Sequence, residues 1–401
     1  MKQSTPLILK HFKLILPVIV ISQFCCTCLW FAGNGVINDL VLNFNLKVTA
    51  LGHLTSAVQF GFIIGTLLFA ILTIADRFSP SKVFFISALF GSAFNLGIIW
   101  NGHTLISLLA LRFLTGFFLA GIYPIGMKIA ADYYNKGLGK SLGFLVGALV
   151  IGTAFPHLLK DFTTTYPWKS VLITTSVLAI IGGLLMLLLV PDGPYRKPSQ
   201  NTNLSAFFNV FQKRGFRAAA FGYFGHMWEL YTFWVFVPII LKQYTIINTD
   251  VTFNIPLLSF IIIGLGGLAC ILSGYIAQII GTKKTAFIAL LLSCVCCLIS
   301  PLVFTTTSET LFIGFLIFWG MAVVADSPLL STLVAQNASS ELKGTALTIV
   351  NCLGFTITII SIQVMTSLVE LSSSNSIYFI LALGPILGLI ALGRKHKTTV
   401  L

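Results

Sequence analysis

The sequence has few charged residues, and acids are the scarcest of them. Of its 401 residues, 11 are Asp or Glu and 24 are Lys or Arg, so charged side chains make up 9% of the chain. An average soluble protein has about 25%. So few ionic groups cannot cover a water-soluble surface of this size. With 57% hydrophobic residues, the composition excludes two or three soluble domains and indicates an exterior that faces lipid.

Catalytic and nucleotide-binding motifs are also missing. The sequence contains no Walker loop, no Gly-x-Ser-x-Gly elbow and no His-Glu-x-x-His, so nothing in it supports an enzyme or direct use of ATP. All eight cysteines lie in apolar runs, whereas a disulfide framework would place them in external loops. The groups Cys25–Cys28 and Cys294–Cys297 resemble metal-ligand clusters, but thiolates are costly in hydrocarbon. We interpret them as small apolar filler and expect no metal and no cofactor.

The apolar residues form twelve long runs. Each is long enough for a helix to cross a bilayer, which takes roughly 20 residues. The first run exceeds a signal peptide and lacks a cleavage site, so we expect it to be a retained span. The runs are 14–40, 50–74, 83–101, 104–131, 140–161, 167–190, 216–241, 254–280, 286–304, 310–335, 344–370 and 376–393. The sequence therefore predicts an all-α polytopic membrane protein with twelve transmembrane helices.

One polar stretch separates the runs into two sets of six. Residues 191–215 are rich in Pro, Asn, Ser and bases, which is typical of a linker. We predict an N-terminal six-helix bundle over 1–190, a cytoplasmic linker over 191–215 and a C-terminal six-helix bundle over 216–401. The linker has room for a short amphipathic helix at Leu204–Phe211.

The basic residues predict the orientation in the membrane. If the N-terminus is cytoplasmic, 19 Lys and Arg residues fall in inside segments, four fall outside, and Arg112 lies within a span. Cytoplasmic loops carry the excess of bases, so both termini are predicted to be cytoplasmic. The short basic clusters between apolar runs are typical of membrane anchors, and nucleic acid is not an expected partner.

Glycine repeats indicate close helix packing. Gly139, Gly143 and Gly147 recur every four residues at the start of the fifth run, as Gly61 and Gly65 do in the second. A helix face without side-chain bulk lets a neighbouring backbone approach closely. The pattern fits a sliding helix pair in a moving protein and static packing equally well.

Three ionisable residues lie in mid-span, where such groups are costly and indicate function. Arg112 keeps its proton and needs an anionic partner or an anionic substrate; a fixed ion pair is the alternative. Glu229 lies one turn from His226, and burial favours its neutral carboxyl, so it is a candidate proton carrier with His226 as a relay. The alternatives for this pair are two metal ligands, for which no further partner is evident, and a hydrogen-bonded pair in the core. Asp326 precedes Pro328 and could pair with a cation, accept a proton or bond freed backbone. We expect the three to converge on a central cavity.

Other residues are candidates for the cavity or its gates. Trp30, Asn34 and Asn38 form a stripe at helical spacing in the first run, although each could be structural. His157, after Pro156, is a candidate gate residue. Four aromatic residues could add cavity walls: Tyr123, Trp228, Tyr231 and Trp319.

Several strings resemble those of the major facilitator superfamily. ADRFSPSK, with Asp76, Arg77 and Lys82, is similar to its signature between spans 2 and 3, and GYIAQIIGTKK looks like the repeat of that signature after span 8. RFLTGFFLAG resembles its Arg-x-x-x-Gly motif, which implies a role for Arg112 in coupling or substrate contact. Longer strings such as GHMWELYTFW resemble a poorly characterised bacterial branch.

The resemblance implies two pseudo-symmetric bundles with a binding site between them near mid-bilayer. It also implies that Asp76 and Arg77 close the cytoplasmic side, and it favours the bacterial cytoplasmic (inner) membrane. We expect a secondary active transporter, acting as a monomer, that moves a small organic solute by alternating access with coupling to protons. A passive facilitator and a membrane sensor that binds a solute without moving it are the alternatives.

Overall fold

The structure is a computed structural model, and it describes residues 5–47, 49–134, 138–162, 168–196, 211–338, 343–372 and 375–394. Within these ranges every regular element is a helix. Ten helices there are long and apolar enough to cross a membrane, and Leu14–Thr27 is a shorter apolar helix. The prediction of an all-helical polytopic chain is confirmed.

The helices follow the twelve predicted runs, and we number them as spans 1 to 12. The first six are Thr5–Thr27 with Ala32–Gly35 and Ile37–Asn43, Ala50–Ile71, Pro80–Gly97, Leu105–Leu119 with Tyr123–Tyr133, Leu138–Phe162, and Lys169–Leu189. The other six are Arg214–Ile247, Ile255–Gly264 with Gly266–Ile280, Thr282–Val303, Glu309–Ala325 with Ser327–Asn337, Lys343–Leu371, and the 3-10 helix Asn375–Ala382 with Leu383–Gly393. A short helix, Ile74–Arg77, lies between spans 2 and 3.

Span 1 departs from the continuous helix that the sequence predicts. It is interrupted at residues 28–31 and turns again after Gly35. These breaks change the direction of the side chains, so the predicted stripe is wrong at its third position. Trp30 and Asn34 are buried, whereas Asn38 is exposed.

Span 7 is longer than its apolar run. The helix Arg214–Ile247 has 34 residues, which at 1.5 Å per residue corresponds to about 50 Å. It therefore extends beyond a hydrocarbon core of roughly 30 Å. The predicted amphipathic helix at Leu204–Phe211 lies, except for its last residue, outside the described residues.

Glycines bring spans 2 and 4 into backbone contact. A Cβ added at Gly61 would lie 1.9 Å from the Phe113 carbonyl oxygen, and one added at Gly116 would lie 1.9 Å from the Val58 carbonyl oxygen. No side chain fits at either position. The close approach predicted from the glycine spacing is therefore confirmed for Gly61, and this packing fixes the position of Arg112, one turn before Gly116.

We expect Gly116→Ala to destabilise the fold strongly. The new methyl group must displace backbone rather than a flexible side chain, and overpacking of this kind costs about 1–3 kcal/mol or more. Thermal unfolding of detergent-purified protein measures the effect. Gly314→Ala is the matched control, because nothing lies within 4 Å of a Cβ at that position in span 10. Equal melting temperatures for the two variants would contradict the close packing of spans 2 and 4.

The two halves of the chain meet along two helix pairs. Spans 5 and 8 approach through glycine, since a Cβ at Gly267 would lie 2.9 Å from the Gly147 carbonyl oxygen. Spans 2 and 11 meet where Gln363 Nε2 donates to Ser56 Oγ at 2.7 Å and to the Gly52 carbonyl at 3.1 Å. The central interface therefore lies between these pairs, with spans 1 and 7 facing each other across it.

Candidate functional site

Arg112 lies inside the N-terminal half and holds the break in span 1. Its side chain is 1% exposed. Its two terminal nitrogens donate to the carbonyls of Leu29, at 3.1 Å, and Trp30, at 2.5 Å. Both carbonyls belong to the four-residue break, outside the helical hydrogen-bond ladder. Arg112 Nε has no hydrogen-bond partner in the described part of the chain.

Aromatic side chains from both halves meet next to this break. The Trp30 ring stacks on Tyr231 at 5.8 Å and on Phe355 at 5.6 Å, measured between ring centroids, and lies 4.9 Å from Phe62. Trp30 and Phe62 belong to the N-terminal half, whereas Tyr231 and Phe355 belong to spans 7 and 11. We call these four residues the aromatic cluster. They fill the space between the halves at the depth of Arg112.

Glu229 lies on span 7 and is fully buried within the C-terminal half. Its carboxylate accepts three hydrogen bonds: from Trp319 Nε1 at 2.6 Å, from Ser293 Oγ at 2.8 Å and from Cys297 Sγ at 3.2 Å. These donors come from spans 9 and 10. Because the described donors are all neutral, a proton can be exchanged here without breaking an ion pair among the described residues.

His226 and Asp326 form a second buried group in the same half. His226 Nδ1 lies 2.8 Å from Asp326 Oδ1, and both side chains are 1% exposed. The contact lacks hydrogen-bond geometry, and neither side chain bonds to any other described residue. Asp326 stands at the junction between the two helices of span 10, just before Pro328. The pair therefore links span 7 to a break in span 10.

The three ionisable groups do not meet at one point, as the sequence predicts, but lie in two separate places. Glu229 and Tyr231 are two residues apart, so they project from nearly opposite sides of span 7. Tyr231 contacts Trp30 in the other half, whereas Glu229 contacts spans 9 and 10. Arg112 thus lies on one side of the aromatic cluster, and the two acids lie on the far side of span 7.

The other predicted residues are distributed as follows. Asn34 Nδ2 donates to Thr55 Oγ1 at 2.8 Å, which joins spans 1 and 2. Trp228 Nε1 donates to the Ile380 carbonyl and so points to span 12 rather than to the N-terminal half. Trp319 packs on Phe233 at 4.5 Å. Tyr123 is partly buried at the start of the second helix of span 4.

The predicted gate residues lie near the helix ends. Arg77 and Lys82 are exposed, and the side chain of Asp76 lies outside the described part of the structure. His157 is 5% exposed, and its Nε2 has no hydrogen-bond partner among the described residues. Its neighbour Pro156 would lie 3.0 Å from a Cβ at Gly35, so His157 is near the short second helix of span 1.

Sequence reasoning missed two of the groups that hold Glu229. The sequence pattern predicts apolar filler at Cys297 and gives no functional signal at Ser293, but the thiol of Cys297 and the hydroxyl of Ser293 both donate to the carboxylate. The two residues lie four apart, on one face of span 9, which is the signal that could have paired them. Cys294 and Cys296 are buried without a described bond to Glu229.

The arrangement is that of a two-halved membrane transporter. Helices pack in two sets, ionisable groups are buried in mid-span, and an aromatic cluster occupies the seam between the halves. The family model described as Major Facilitator Superfamily matches residues 19–362. The chain belongs to this superfamily.

The chain is also similar to individual proteins of known name or structure. The chain is 28% identical over 176 residues to the Probable galactarate/D-glucarate transporter GudP of Bacillus subtilis (strain 168), a match that covers 42% of this chain and 37% of that relative. The fold of this chain is similar to that of the proton:xylose symporter XylE bound to 6-bromo-6-deoxy-D-glucose, with a TM-score of 0.74, 14% identity and 95% of each chain covered. A mutant form of the nucleoside transporter NupG gives 0.71 at 16% identity, covering 94% of this chain and 99% of that one.

Proposed function

We propose that this protein is a secondary active transporter that moves a small organic solute by alternating access and is driven by protons. The observation that carries the proposal is the aromatic cluster, which closes the seam between the halves with Arg112 on one side and buried acids behind it. Opening the seam separates Trp30 from Tyr231 and Phe355 and admits a solute. The match to GudP covers 37% of the length of that protein, so the proposal does not take over its substrate.

Glu229 is the proposed proton carrier, with His226 and Asp326 as a second site. Protonation of Glu229 removes a buried charge and changes the hydrogen bonds that tie span 7 to spans 9 and 10. Span 7 also carries Tyr231, so a shift of this helix reaches the aromatic cluster directly. Protons drive the conformational change only if the two states differ in proton affinity.

Gates at the two ends would alternate. We assign the cytoplasmic gate to Asp76, Arg77 and Lys82, next to the linker, and an outer gate role to His157. The outer side also has the contact in which Asn254 Nδ2 donates to Asp161 Oδ1 at 2.5 Å, joining spans 5 and 8 across the seam. We further propose that the chain forms two bundles, over 1–190 and 216–401. It would act as a monomer in the bacterial inner membrane, with both termini in the cytoplasm.

Reconstituted vesicles test the function. Counterflow of a labelled solute would establish transport, and accumulation that follows an imposed pH gradient would establish coupling to protons. Counterflow without accumulation in any gradient identifies a passive facilitator. Binding of a solute without counterflow identifies a sensor and contradicts transport.

A cross-link across the outer gate is expected to stop transport. Asp161→Cys with Asn254→Cys places two thiols where the hydrogen bond joins spans 5 and 8, and a short bifunctional maleimide would keep these ends together. Labelled-solute uptake should fall to background. The matched control is Asn101→Cys with Lys169→Cys, a hydrogen-bonded pair at 3.2 Å within the N-terminal half. Unchanged uptake after complete cross-linking of the first pair would contradict separation of the halves at this end.

A further inference from the structure

The buried charges are divided unequally between the two halves. The described interior of the N-terminal half carries Arg112 at mid-span, and the acids buried at that depth, Glu229 and Asp326, belong to the C-terminal half. Those acids have other partners: Trp319, Ser293 and Cys297 for Glu229, and His226 for Asp326. No acid whose side chain is described forms an ion pair with Arg112.

A buried guanidinium without a counter-ion is unfavourable, because two carbonyl dipoles do not neutralise a full charge. The carbonyls of Leu29 and Trp30 take its two terminal nitrogens, and Nε stays unpartnered. A Cβ at Gly33 would lie 3.3 Å from Nε, so glycine is the residue that does not crowd this nitrogen. An anion fits the charge, and Nε is a free donor for it.

Two more unpartnered donors lie on the segments that pack against Arg112 and its helix. Trp30 Nε1 and the amide of Gln59 are both in side chains that are 0% exposed, and neither has a hydrogen-bond partner among the described residues. Gln59 follows Val58, whose carbonyl lies against Gly116, one turn after Arg112. Trp30 supplies one of the carbonyls that Arg112 binds. Buried amides and indoles normally have partners, so donors left over on neighbouring spans indicate a ligand.

We propose that the substrate is an organic carboxylate, and that Arg112, Gln59 and Trp30 bind its carboxylate group in the N-terminal half. This inference rests on the proposed transport function and specifies its substrate class. The guanidinium supplies the counter-charge, and the glutamine amide and the indole supply neutral donors of fixed direction. The aromatic cluster covers the carbon skeleton. Gln59 is the residue that sequence reasoning did not connect with the site.

The carboxylate also explains why acids and base are kept apart. A solute that enters as an anion adds one negative charge beside Arg112, and a proton on Glu229 removes one negative charge behind span 7. Each site then reaches electrical neutrality when it is loaded. A neutral solute would leave Arg112 unbalanced in both states.

Three probes with one carbon skeleton test the substrate class: galactarate with two carboxylates, galacturonate with one and galactitol with none. The purified full-length protein is melted with each probe at matched ionic strength. A ligand that binds only the folded state raises the melting temperature, so we expect at least one acid to raise it and galactitol not to. The proposal would be overturned if galactitol raised the melting temperature as much as the acids do. It would also be overturned if neither acid raised the melting temperature.

Substitution of Gln59 tests the site itself. Gln59→Leu is expected to weaken the binding of the stabilising acid on the order of tenfold, the usual effect of losing a hydrogen bond to a charged group. Gln23→Leu is the control, because Gln23 is also 0% exposed and unpartnered but lies against Gly126, inside the half. If Gln59→Leu does not purify as a folded monomer, Gln59→Met keeps the side-chain length for the same measurement. Unchanged affinity removes Gln59 from the site.

Failure of the carboxylate site and failure of the proposed transport function give different results. Counterflow of labelled galactitol by a protein that ignores both acids would preserve the transporter and overturn the carboxylate site. Tight binding of an acid without counterflow would preserve the site and overturn transport.

Discussion

Glu229→Gln is expected to abolish proton-driven accumulation while leaving counterflow. Glutamine has nearly the same shape: its carbonyl oxygen can still accept from Trp319 Nε1, and its amide nitrogen can donate to Ser293 Oγ, so the tie between span 7 and spans 9 and 10 remains. It cannot take up a proton, and the pH gradient therefore has no group to act on. Accumulation should fall to the level of equilibration, measured as labelled-solute uptake by vesicles with and without a gradient.

An exposed acid provides the control. Glu370→Gln, at the end of span 11, removes the same charge from an exposed side chain and should leave accumulation unchanged. Full accumulation by Glu229→Gln would remove this residue from coupling and transfer the role to His226 and Asp326. Loss of counterflow together with accumulation would assign Glu229 a structural role instead.

The donors around Glu229 give a finer test of the same mechanism. Ser293→Ala removes a hydroxyl that stabilises the charged carboxylate, so the protonated form gains relative stability. The pH dependence of uptake should then shift to higher pH relative to the wild-type protein. A purely structural serine would lower the melting temperature without moving that dependence.

The proposed coupling between proton and solute needs a physical connection, and span 7 is the candidate for it. Glu229 and Tyr231 face opposite sides of the same helix, so rotation or displacement at one side is transmitted to the other. Tyr231 also lies 5.1 Å from Trp234, which meets Phe31 of span 1 edge-on. The span 7 face towards the N-terminal half is therefore aromatic, whereas its other face carries the titratable groups.

The sequence predicts the spans well because a bilayer selects for long apolar runs, and run length is visible in one dimension. It also identifies Arg112, Glu229 and Asp326, because a buried charge stands out in a run of hydrocarbon. The break in span 1 is different. Residues 28–31 contain no proline or glycine, and the break is supported by Arg112, which lies more than 80 positions away.

The partners of each charge also depend on long-range packing. Helical spacing puts His226 and Glu229 on one face, yet His226 contacts Asp326 and Glu229 contacts span 9. Periodicity gives the direction of a side chain from its own helix but not the neighbour in that direction. Cys297 shows the same limit, since a thiol in an apolar run has the pattern of filler until an acid lies 3.2 Å away.

Substitution of Arg112 should have the largest effect of all on binding. Arg112→Lys keeps the charge, but its single ammonium cannot occupy the positions of the two terminal nitrogens, which hold the carbonyls of Leu29 and Trp30, and of Nε at the same time. We expect loss of measurable substrate binding and of uptake. Arg112→Met leaves both carbonyls unsatisfied as well, and its folding stability should fall by about 2–4 kcal/mol. Melting temperature and equilibrium binding measure the two effects separately.

The comparison between these two variants distinguishes two roles of Arg112: holding the break in span 1 and binding the solute. If Arg112 only braces span 1, both variants lose stability, and any Arg112→Lys protein that stays folded binds the solute as the wild-type protein does. If Arg112 also binds the solute, folded Arg112→Lys protein fails to bind, because the donor at Nε and the fork that positions it are both gone. Wild-type affinity in a folded Arg112→Lys protein would therefore contradict the carboxylate site, while leaving the role of Arg112 in holding the break of span 1 unchanged.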